Sequence, residues 1–220
     1  MEEDSSSSLP SPAQPPMFRN RYWILRHGRS VPNERGLIVS SLENGTKPEF
    51  GLAPQGVEQA RAAGELLRKE LEEIGVPADS VKIRYSPFSR TTETARAVAG
   101  VLGIPFEAPT CKAVEGLRER YFGPSYELLS HEKMKKIPIF LQKVVRVLLM
   151  LQVDFHNSSI LFVSHGDPLQ IIQAVLSGAS ENSSLLEAVA YRKIRDTMVS
   201  SVLSHHRKFA LLTGELRRVV

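Results

Sequence analysis

Two short, wholly apolar runs constrain the fold of this chain more than any other feature. Each has four residues, Tyr22–Leu25 and Ile160–Val163, which is the length of a strand rather than a helix. A strand with apolar side chains on both faces must be covered on both sides, as the strands of parallel sheets are. Helical patterns occupy residues 54–73, 91–102 and 169–176. Strands that alternate with helices predict an α/β domain with a largely parallel sheet.

Two further runs add strands to the predicted sheet, Val81–Tyr85 and Phe209–Leu212. Residues 31–52 separate the first strand from the first helix and are rich in Pro, Asn and Gly, which predicts a long loop. The helix after this loop begins at Pro54, a residue well suited to the first turn of a helix. Its predicted apolar stripe consists of Ala60, Ala63, Leu66, Leu67 and Leu71.

The composition is that of a globular protein without a membrane partner. Hydrophobic residues make up 42% and charged residues 24% of the chain, and no apolar run approaches the ~20 residues of a membrane-spanning helix. The net charge of +4 is mild. Basic residues do not alternate with aromatic ones, so no nucleic-acid partner is expected. The single cysteine, Cys111, excludes an internal disulfide and fits a reducing compartment.

Residues 1–17 are predicted to be a disordered, Ser/Pro-rich leader. They combine acidic residues with serines and prolines, a composition that cannot bury apolar surface. The leader lacks the basic start and apolar stretch of a signal peptide, and its acidic residues argue against an organelle transit peptide. We therefore expect a cytoplasmic protein with one folded domain over residues 18–220.

Two similar tripeptides follow the two apolar strands, Arg26-His27-Gly28 and Ser164-His165-Gly166. Ligands of open parallel sheets bind at the carboxyl ends of the strands, so neighbouring strands would bring both histidines to one site. The glycines would leave room for the backbone to approach a ligand closely. A lone histidine is more often structural, but two at matched strand ends, one of them beside an arginine, favour a functional site.

Arg90 and Glu119 are the other candidates for chemistry. Arg90 is predicted to lie in the first turn of a helix, where the helix dipole disfavours a cation. A bound phosphate would offset this cost; otherwise Arg90 is a solvated side chain. A bound anion would also raise the pKa of Glu119 and keep it protonated, as a general acid requires. Otherwise Glu119 is an exposed residue paired with neighbouring arginines, and spacing alone does not decide.

Five ordered motifs resemble those of the histidine phosphatase superfamily, in its phosphoglycerate mutase-like branch. They are Leu25–Ser30 with Asn33, Leu52–Ala60, Ser89-Arg90, Glu119–Gly123 and Ser164–Gly166. Ala53 stands where a Ser or Thr cap is usual. The resemblance covers residues 20–132 and 153–175. It implies a three-layer α/β/α fold with a largely parallel sheet, like that of phosphoglycerate mutase, and makes residues 18–220 a catalytic domain.

The resemblance implies covalent phosphoryl transfer from a small phosphorylated metabolite. His27 would attack phosphorus and carry a phosphohistidine. Glu119 would protonate the leaving oxygen and then activate water. The residues implied to bind the phosphate are Arg26, Asn33, Arg90, His165 and Gly166, of which Arg26, Arg90 and His165 would also take part in catalysis. The positive charge of this site takes the place of a metal, so neither a metal nor another cofactor is implied.

The segment after the Glu-Arg motif favours hydrolysis over isomerisation. Mutases of this branch carry basic lid residues there, whereas residues 124–127 contain none and Phe122 replaces a tyrosine. We therefore expect a phosphoric monoester hydrolase of the histidine acid phosphatase type, with phosphoglycerate mutase as the alternative. A metallohydrolase built on His27, His165 and Asp167 is a further alternative, since three such ligands would retain an ion.

Residues 134–151 depart from the family pattern, which has a Gly-Glu-Ser element before the helix leading to the second histidine. Read from the third base of permitted codons, Lys143–Met150 encodes Gly-Gly-Glu-Ser-Ala-Ala-Asp. We therefore hypothesise that residues 134–151 come from alternative splicing or a faulty gene model; as an ordinary segment, residues 139–151 would form an apolar helix. A chain altered in this way could be a non-catalytic phospholigand-binding protein or a defective isoform.

Overall fold

The computed structural model describes residues 20–130, 156–181 and 206–219. The strands in these ranges form one sheet: β1 (Arg21–Arg26), β2 (Lys82–Tyr85), β3 (Cys111–Ala113), β4 (Ser159–Ser164) and β5 (Leu216–Arg218). The α-helices are α1 (Val31–Arg35), α2 (Leu42–Gly45), α3 (Pro54–Glu73), α4 (Ser89–Val101) and α5 (Gly166–Glu181). Short 3-10 helices cover Pro48–Phe50, Ala78–Ser80, Glu115–Leu117 and His206–Phe209. The predicted leader and the atypical segment 134–151 lie outside the described residues.

The strand order is β3-β2-β4-β1-β5. β1 pairs with β4 in parallel from Arg21 and Ser159 to Arg26 and Ser164, so the two strands begin and end together. β2 joins the other edge of β4 in parallel, and β3 joins β2 in the same direction. Only β5, of the described strands, runs antiparallel to its neighbour, which is β1. The predicted α/β fold with a largely parallel sheet is confirmed.

Helices cover both faces of the sheet, which explains the wholly apolar strands. On one face, α3 and α4 pack in a cluster that includes the fully buried Trp23 and Leu161. α5 contacts β1 and β4, and none of its described side chains belongs to that cluster. It therefore covers the opposite face, where Tyr22 and Phe162 stack with their ring centroids 5.7 Å apart. None of the described helices has the length and apolar character needed to cross a membrane.

The predicted last strand at Phe209–Leu212 is wrong, because this segment begins at the end of a 3-10 helix and β5 lies further along the chain. β5 has a neighbour on one side only, so it needs no apolar run. Two of its three residues are arginines, and Arg218 lies over the ring of Trp23 at 5.6 Å. The apolar Phe209–Leu212 segment instead presents the carbonyl of Leu211 to the side chain of Arg26.

Two other sequence predictions need smaller corrections, and β3 has no counterpart among the predicted strands. Residues 31–52 are not a loop throughout, since α1, α2 and a 3-10 helix lie within them. Leu66 is 45% exposed and does not belong to the apolar stripe of α3, whereas Leu67 and Leu71 are fully buried. β3 has only three residues, of which one is buried, and this is too short to give an alternating pattern.

A close contact between two backbone segments fixes the loop after β1. A Cβ atom on Gly28 would lie 2.2 Å from the carbonyl oxygen of Gly56, and one on Gly56 would lie 2.0 Å from the carbonyl oxygen of Arg29. The Arg29 carbonyl also accepts a hydrogen bond from the backbone of Ala53 at 2.9 Å. Gly28 therefore makes room for the N-terminus of α3, not for a ligand as its position in the sequence suggested.

Gly56→Ala is expected to destabilise the fold by about 1–3 kcal/mol, because its methyl group would overlap a backbone carbonyl. Gly100→Ala in α4 is the matched control, since nothing lies within 4 Å of its Cβ position. Alanine is the better helix former, so this variant should gain up to ~1 kcal/mol. Urea unfolding followed by circular dichroism measures both changes. Equal midpoints for the two variants would contradict the assigned contact.

Candidate active site

His27 follows β1 and is 3% exposed. Its Nδ1 donates to the backbone carbonyl of Gly28 at 2.7 Å; a carbonyl only accepts, so the ring proton is on Nδ1 and Nε2 carries a lone pair. The Nε of Arg90 donates to this Nε2 at 3.3 Å. Burial, with the nearby charges of Arg90 and Arg26, holds the pKa of His27 well below its ordinary value, against a smaller raising effect of the Gly28 carbonyl. His27 is therefore neutral, and the lone pair of its Nε2 is fixed in direction.

His165 lies beside His27 because β1 and β4 are paired in parallel and in register. The two ring centroids are 5.2 Å apart at an angle of 65°. His165 is fully buried, and its Nε2 shares a 2.8 Å hydrogen bond with the hydroxyl of Ser86, at the carboxyl end of β2. When that hydroxyl donates, the ring proton is on Nδ1 of His165. Burial is the main reason that the pKa of His165 lies well below its ordinary value.

Arg90 lies in the first turn of α4, as predicted, but it is 5% exposed rather than solvated. Besides the bond to His27, its Nη2 donates to the carbonyl of Val39 at 3.1 Å. The guanidinium lies over the ring of Phe88 at 5.0 Å. Burial lowers the pKa of Arg90 to about 10, so the side chain stays positively charged at neutral pH.

Arg26, the last residue of β1, brings a second guanidinium to the site. Its Nη1 donates to the carbonyl of Leu211 at 2.7 Å. Burial lowers the pKa of Arg26, and the negative charges of Glu119, Asp167 and Glu215 act in the opposite direction. An arginine begins from so high a pKa that it remains charged.

Three buried nitrogen atoms of these residues make no hydrogen bond within the described part of the chain. They are Nε of Arg26, Nη1 of Arg90 and Nδ1 of His165. A buried unsatisfied donor costs free energy and calls for an explanation. Three such donors beside two guanidinium charges suit an anion with several acceptor oxygens, such as a phosphate. The arrangement can hold a phosphoryl group next to the lone pair of His27.

Glu119 brings a carboxyl group to the same site. Its side chain interacts electrostatically with Asp167, Arg90 and Arg26. Burial, followed by the negative charge of Asp167, raises its pKa to about 7, against the lowering effects of Arg90, of the Arg120 backbone N–H and of Arg26. A carboxyl group with this pKa can both give and take a proton near neutral pH.

The two remaining predicted residues, Asn33 and Gly166, contribute in different ways. The amide oxygen of Asn33 accepts from the N–H of Ser30 at 3.1 Å and from its hydroxyl at 2.8 Å. This capping box begins α1. It uses the amide oxygen of Asn33, so the amide NH₂ is the group that could donate a hydrogen bond to a ligand. Gly166 begins α5, and a Cβ atom there would meet nothing nearer than Arg26 at 3.9 Å.

The metallohydrolase alternative gains no support from the position of Asp167. Its carboxylate pairs with the guanidinium of Arg120 at 2.9 Å. Within residues 20–130, 156–181 and 206–219, no three His, Cys, Asp or Glu side chains are grouped as metal ligands would be. His27 and His165 lie beside Arg90 and Arg26, and no third metal-ligating side chain joins them in the described part of the chain.

The sequence pattern of a known family matches the part of the chain that contains the site residues up to Glu119. The model of the histidine phosphatase superfamily (branch 1) matches residues 22–143, more than half of the chain. The chain belongs to the histidine phosphatase superfamily. The matched range contains His27, Arg90 and Glu119.

Solved histidine phosphatases share this fold. A mutant phosphoserine phosphatase from Entamoeba histolytica, in complex with phosphoserine, has 19% identity and a TM-score of 0.59, covering 90% of this chain and 88% of that one. Alpha-ribazole phosphatase from Shigella flexneri has 23% identity and a TM-score of 0.60, covering 89% and 88%. A curated relative, agropine synthesis reductase from Rhizobium rhizogenes, is 29% identical over 177 residues, which are 75% of this chain. The chain spans only 37% of that relative's length.

Sequence reasoning missed two hydroxyl groups that orient the histidines. Ser86 bonds His165. The hydroxyl of Thr94 accepts from the N–H of Gly28 at 3.1 Å, and Gly28 is the residue whose carbonyl fixes the His27 tautomer. Ser86 follows β2 at the same sheet edge as both histidines, so the rule of strand ends could have found it. Thr94 lies one helical turn after Arg90, and only the close packing of α4 on the loop after β1 reveals its contact.

Arg90→Lys is expected to weaken binding of inorganic phosphate by about tenfold or more, because lysine keeps the charge but loses the fork of donors. Isothermal titration calorimetry measures the dissociation constant. Arg96→Lys is the matched control on the same helix, where Arg96 is exposed and pairs with Glu107. Equal affinities for the two variants would show that Arg90 does not bind the anion.

Proposed function

We propose that this histidine phosphatase is a metal-independent phosphomonoesterase that acts through a phosphohistidine on a small phosphorylated metabolite. The observation that carries the proposal is the neutral His27, with its Nε2 lone pair, beside three buried donors that lack partners among the described residues. The guanidinium groups of the buried Arg90 and the half-buried Arg26 supply the positive charge that a metal provides in other phosphatases. We place this activity in the cytoplasm, in line with the single cysteine.

In the first step, Nε2 of His27 attacks phosphorus as the bond between phosphorus and the ester oxygen breaks. The leaving oxygen takes a proton from Glu119, whose pKa of about 7 leaves it largely protonated at slightly acid pH. Arg26, Arg90 and His165 would stabilise the charge on the other three phosphoryl oxygens. The products of this step are an alcohol and phosphohistidine.

In the second step, a water molecule attacks the phosphoryl group and the bond to Nε2 of His27 breaks. Glu119, now ionised, takes the proton of that water and returns to its acid form. Inorganic phosphate leaves, and both residues regain their starting states. The same carboxyl group can serve in both directions because its pKa lies close to the working pH.

The described segment after the Glu119-Arg120 motif favours hydrolysis over transfer to a second substrate position. Residues 121–129 contain no basic side chain, so nothing in this stretch would retain a bisphosphate while it reorients. The related folds are those of a phosphoserine phosphatase and an alpha-ribazole phosphatase, whose names both describe phosphomonoesters. A small metabolite ester is the substrate class that these features support.

His27→Ala should abolish phosphate release from a panel of sugar, glycerate, serine and aryl phosphates, assayed with EDTA present. The variant loses the nucleophile, and wild-type protein quenched in alkali should carry an acid-labile phosphoryl group that the variant lacks. His156→Ala is the matched control, because His156 is exposed and remote from the β1 and β4 carboxyl ends. Release that persists in His27→Ala would overturn the phosphohistidine mechanism. Isomer exchange without release would establish a mutase instead.

Hydrolysis of an alkyl phosphate should slow as the pH rises above about 7, because the proton that Glu119 must donate is then lost. His27 stays neutral over this range, since its pKa lies well below its ordinary value. Glu119→Gln should remove this pH dependence and lower kcat/KM about 10²-fold or more. The loss should be smaller for 4-nitrophenyl phosphate, whose leaving oxygen needs less protonation. An unchanged pH profile in the variant would contradict the role of Glu119.

A further inference from the structure

Glu127 is bonded by an unusual number of donors for a side chain outside the active site. Its carboxylate accepts from the backbone N–H groups of Ser40 and Ser41 at 3.1 Å and from both hydroxyls at 2.8 Å. The side-chain amide of Asn44 donates a fifth bond at 3.0 Å. These donors outweigh the effect of burial and hold the pKa of Glu127 below its ordinary value. The carboxylate is therefore fixed and ionised.

The backbone on either side of these bonds is joined as well. The Ile38 N–H donates to the Leu129 carbonyl at 2.9 Å, and the Leu128 N–H donates to the Ile38 carbonyl at 2.8 Å. The Phe122 N–H donates to the Ser40 hydroxyl oxygen at 3.3 Å. Leu128 has a φ of 61°, a conformation that costs free energy for a residue with a side chain. The segment after Glu119 is thus held firmly on residues 38–41.

Residues 38–41 in turn hold the guanidinium of Arg90. The Val39 carbonyl, between Ile38 and Ser40, accepts from Nη2 of Arg90 at 3.1 Å. Val39 is 4% exposed, so bulk water cannot take the place of its carbonyl as the acceptor for Arg90. The charge of Glu127 also acts on Arg90 and favours its charged form. Glu127 and Arg90 are therefore connected in two ways, through the backbone of residues 38–41 and through the attraction between their charges.

We propose that Glu127 is a positioning residue that fixes the Arg90 guanidinium for phosphate by anchoring the Val39 carbonyl. The effect of Glu127 on turnover rests on the proposed phosphatase function, whereas the effect of Glu127 on the Arg90 guanidinium does not. Because the same segment begins at Glu119, Glu127 also sets the distance between the proton donor and the phosphate-binding arginine. A misplacement of a binding group by about 1 Å can cost about 10²-fold in rate.

The test compares Glu127→Gln with Glu93→Gln. Both changes replace a half-buried carboxylate that accepts from the backbone of the loop after β1, since Glu93 accepts from the Leu52 N–H at 2.7 Å. Only Glu127 is connected to Val39. Three quantities are measured: the hydrogen exchange of the Arg90 Nε–H by NMR, the dissociation constant of inorganic phosphate, and kcat and KM on a hydrolysed ester.

Glu127→Gln should speed the exchange of the Arg90 Nε–H and weaken phosphate binding about tenfold or more, while Glu93→Gln leaves both as in the wild type. Ser40→Ala, which removes one donor to Glu127, should give a smaller change in the same direction and serves if Glu127→Gln does not fold. Wild-type exchange and wild-type phosphate affinity in a folded Glu127→Gln or Ser40→Ala protein would overturn the proposal. A wild type that releases no phosphate, with Arg90 exchange still raised by Glu127→Gln, would refute the proposed function and leave this inference standing.

Discussion

The parallel pairing of β1 with β4 is the constraint on which the rest of the site depends. The two strands end at Arg26 and Ser164, which are direct partners, and each is followed at once by a histidine. One hydrogen-bond register therefore brings two rings to 5.2 Å across more than a hundred residues of sequence. A register shift of one residue would turn alternate side chains to the other face and separate them. The sheet thus specifies the site before any catalytic group contributes to it.

Burial at the carboxyl ends of β1 and β4 then shifts the pKa values of the ionisable groups of the site. The same removal from water lowers the pKa of His27 and raises that of Glu119 to about 7, because it disfavours whichever form is charged. A neutral base and a protonated acid result from one environment. Arg26 and Arg90 tolerate that environment because arginine begins from so high a pKa. Their charges, in turn, suppress protonation of both histidines.

The sequence predicted the parts of the molecule where local pattern and tertiary role agree. Apolar runs predicted β1 and β4, and the strand-end rule brought His27 and His165 to one place. The search for apolar runs did not find β5, since an edge strand stabilised by Arg218 over Trp23 carries no apolar signal. The position of Gly28 in the sequence suggested the wrong reason for this glycine, because the contact with Gly56 depends on how α3 packs against the loop. Hydrogen bonds between distant segments, such as those of Glu127, have no local signature at all.

The bond between Arg26 and the Leu211 carbonyl joins groups 185 residues apart, and β5 pairs with β1 across a similar separation. Contacts of such long range close late in folding, because the chain entropy of a large loop must be overcome first. During synthesis, β1 must wait for its outer neighbour until residues 216–218 have been added to the chain. Until residues 211–218 are in place, the outer edge of β1 lacks its β5 neighbour and Arg26 lacks its bond to the Leu211 carbonyl.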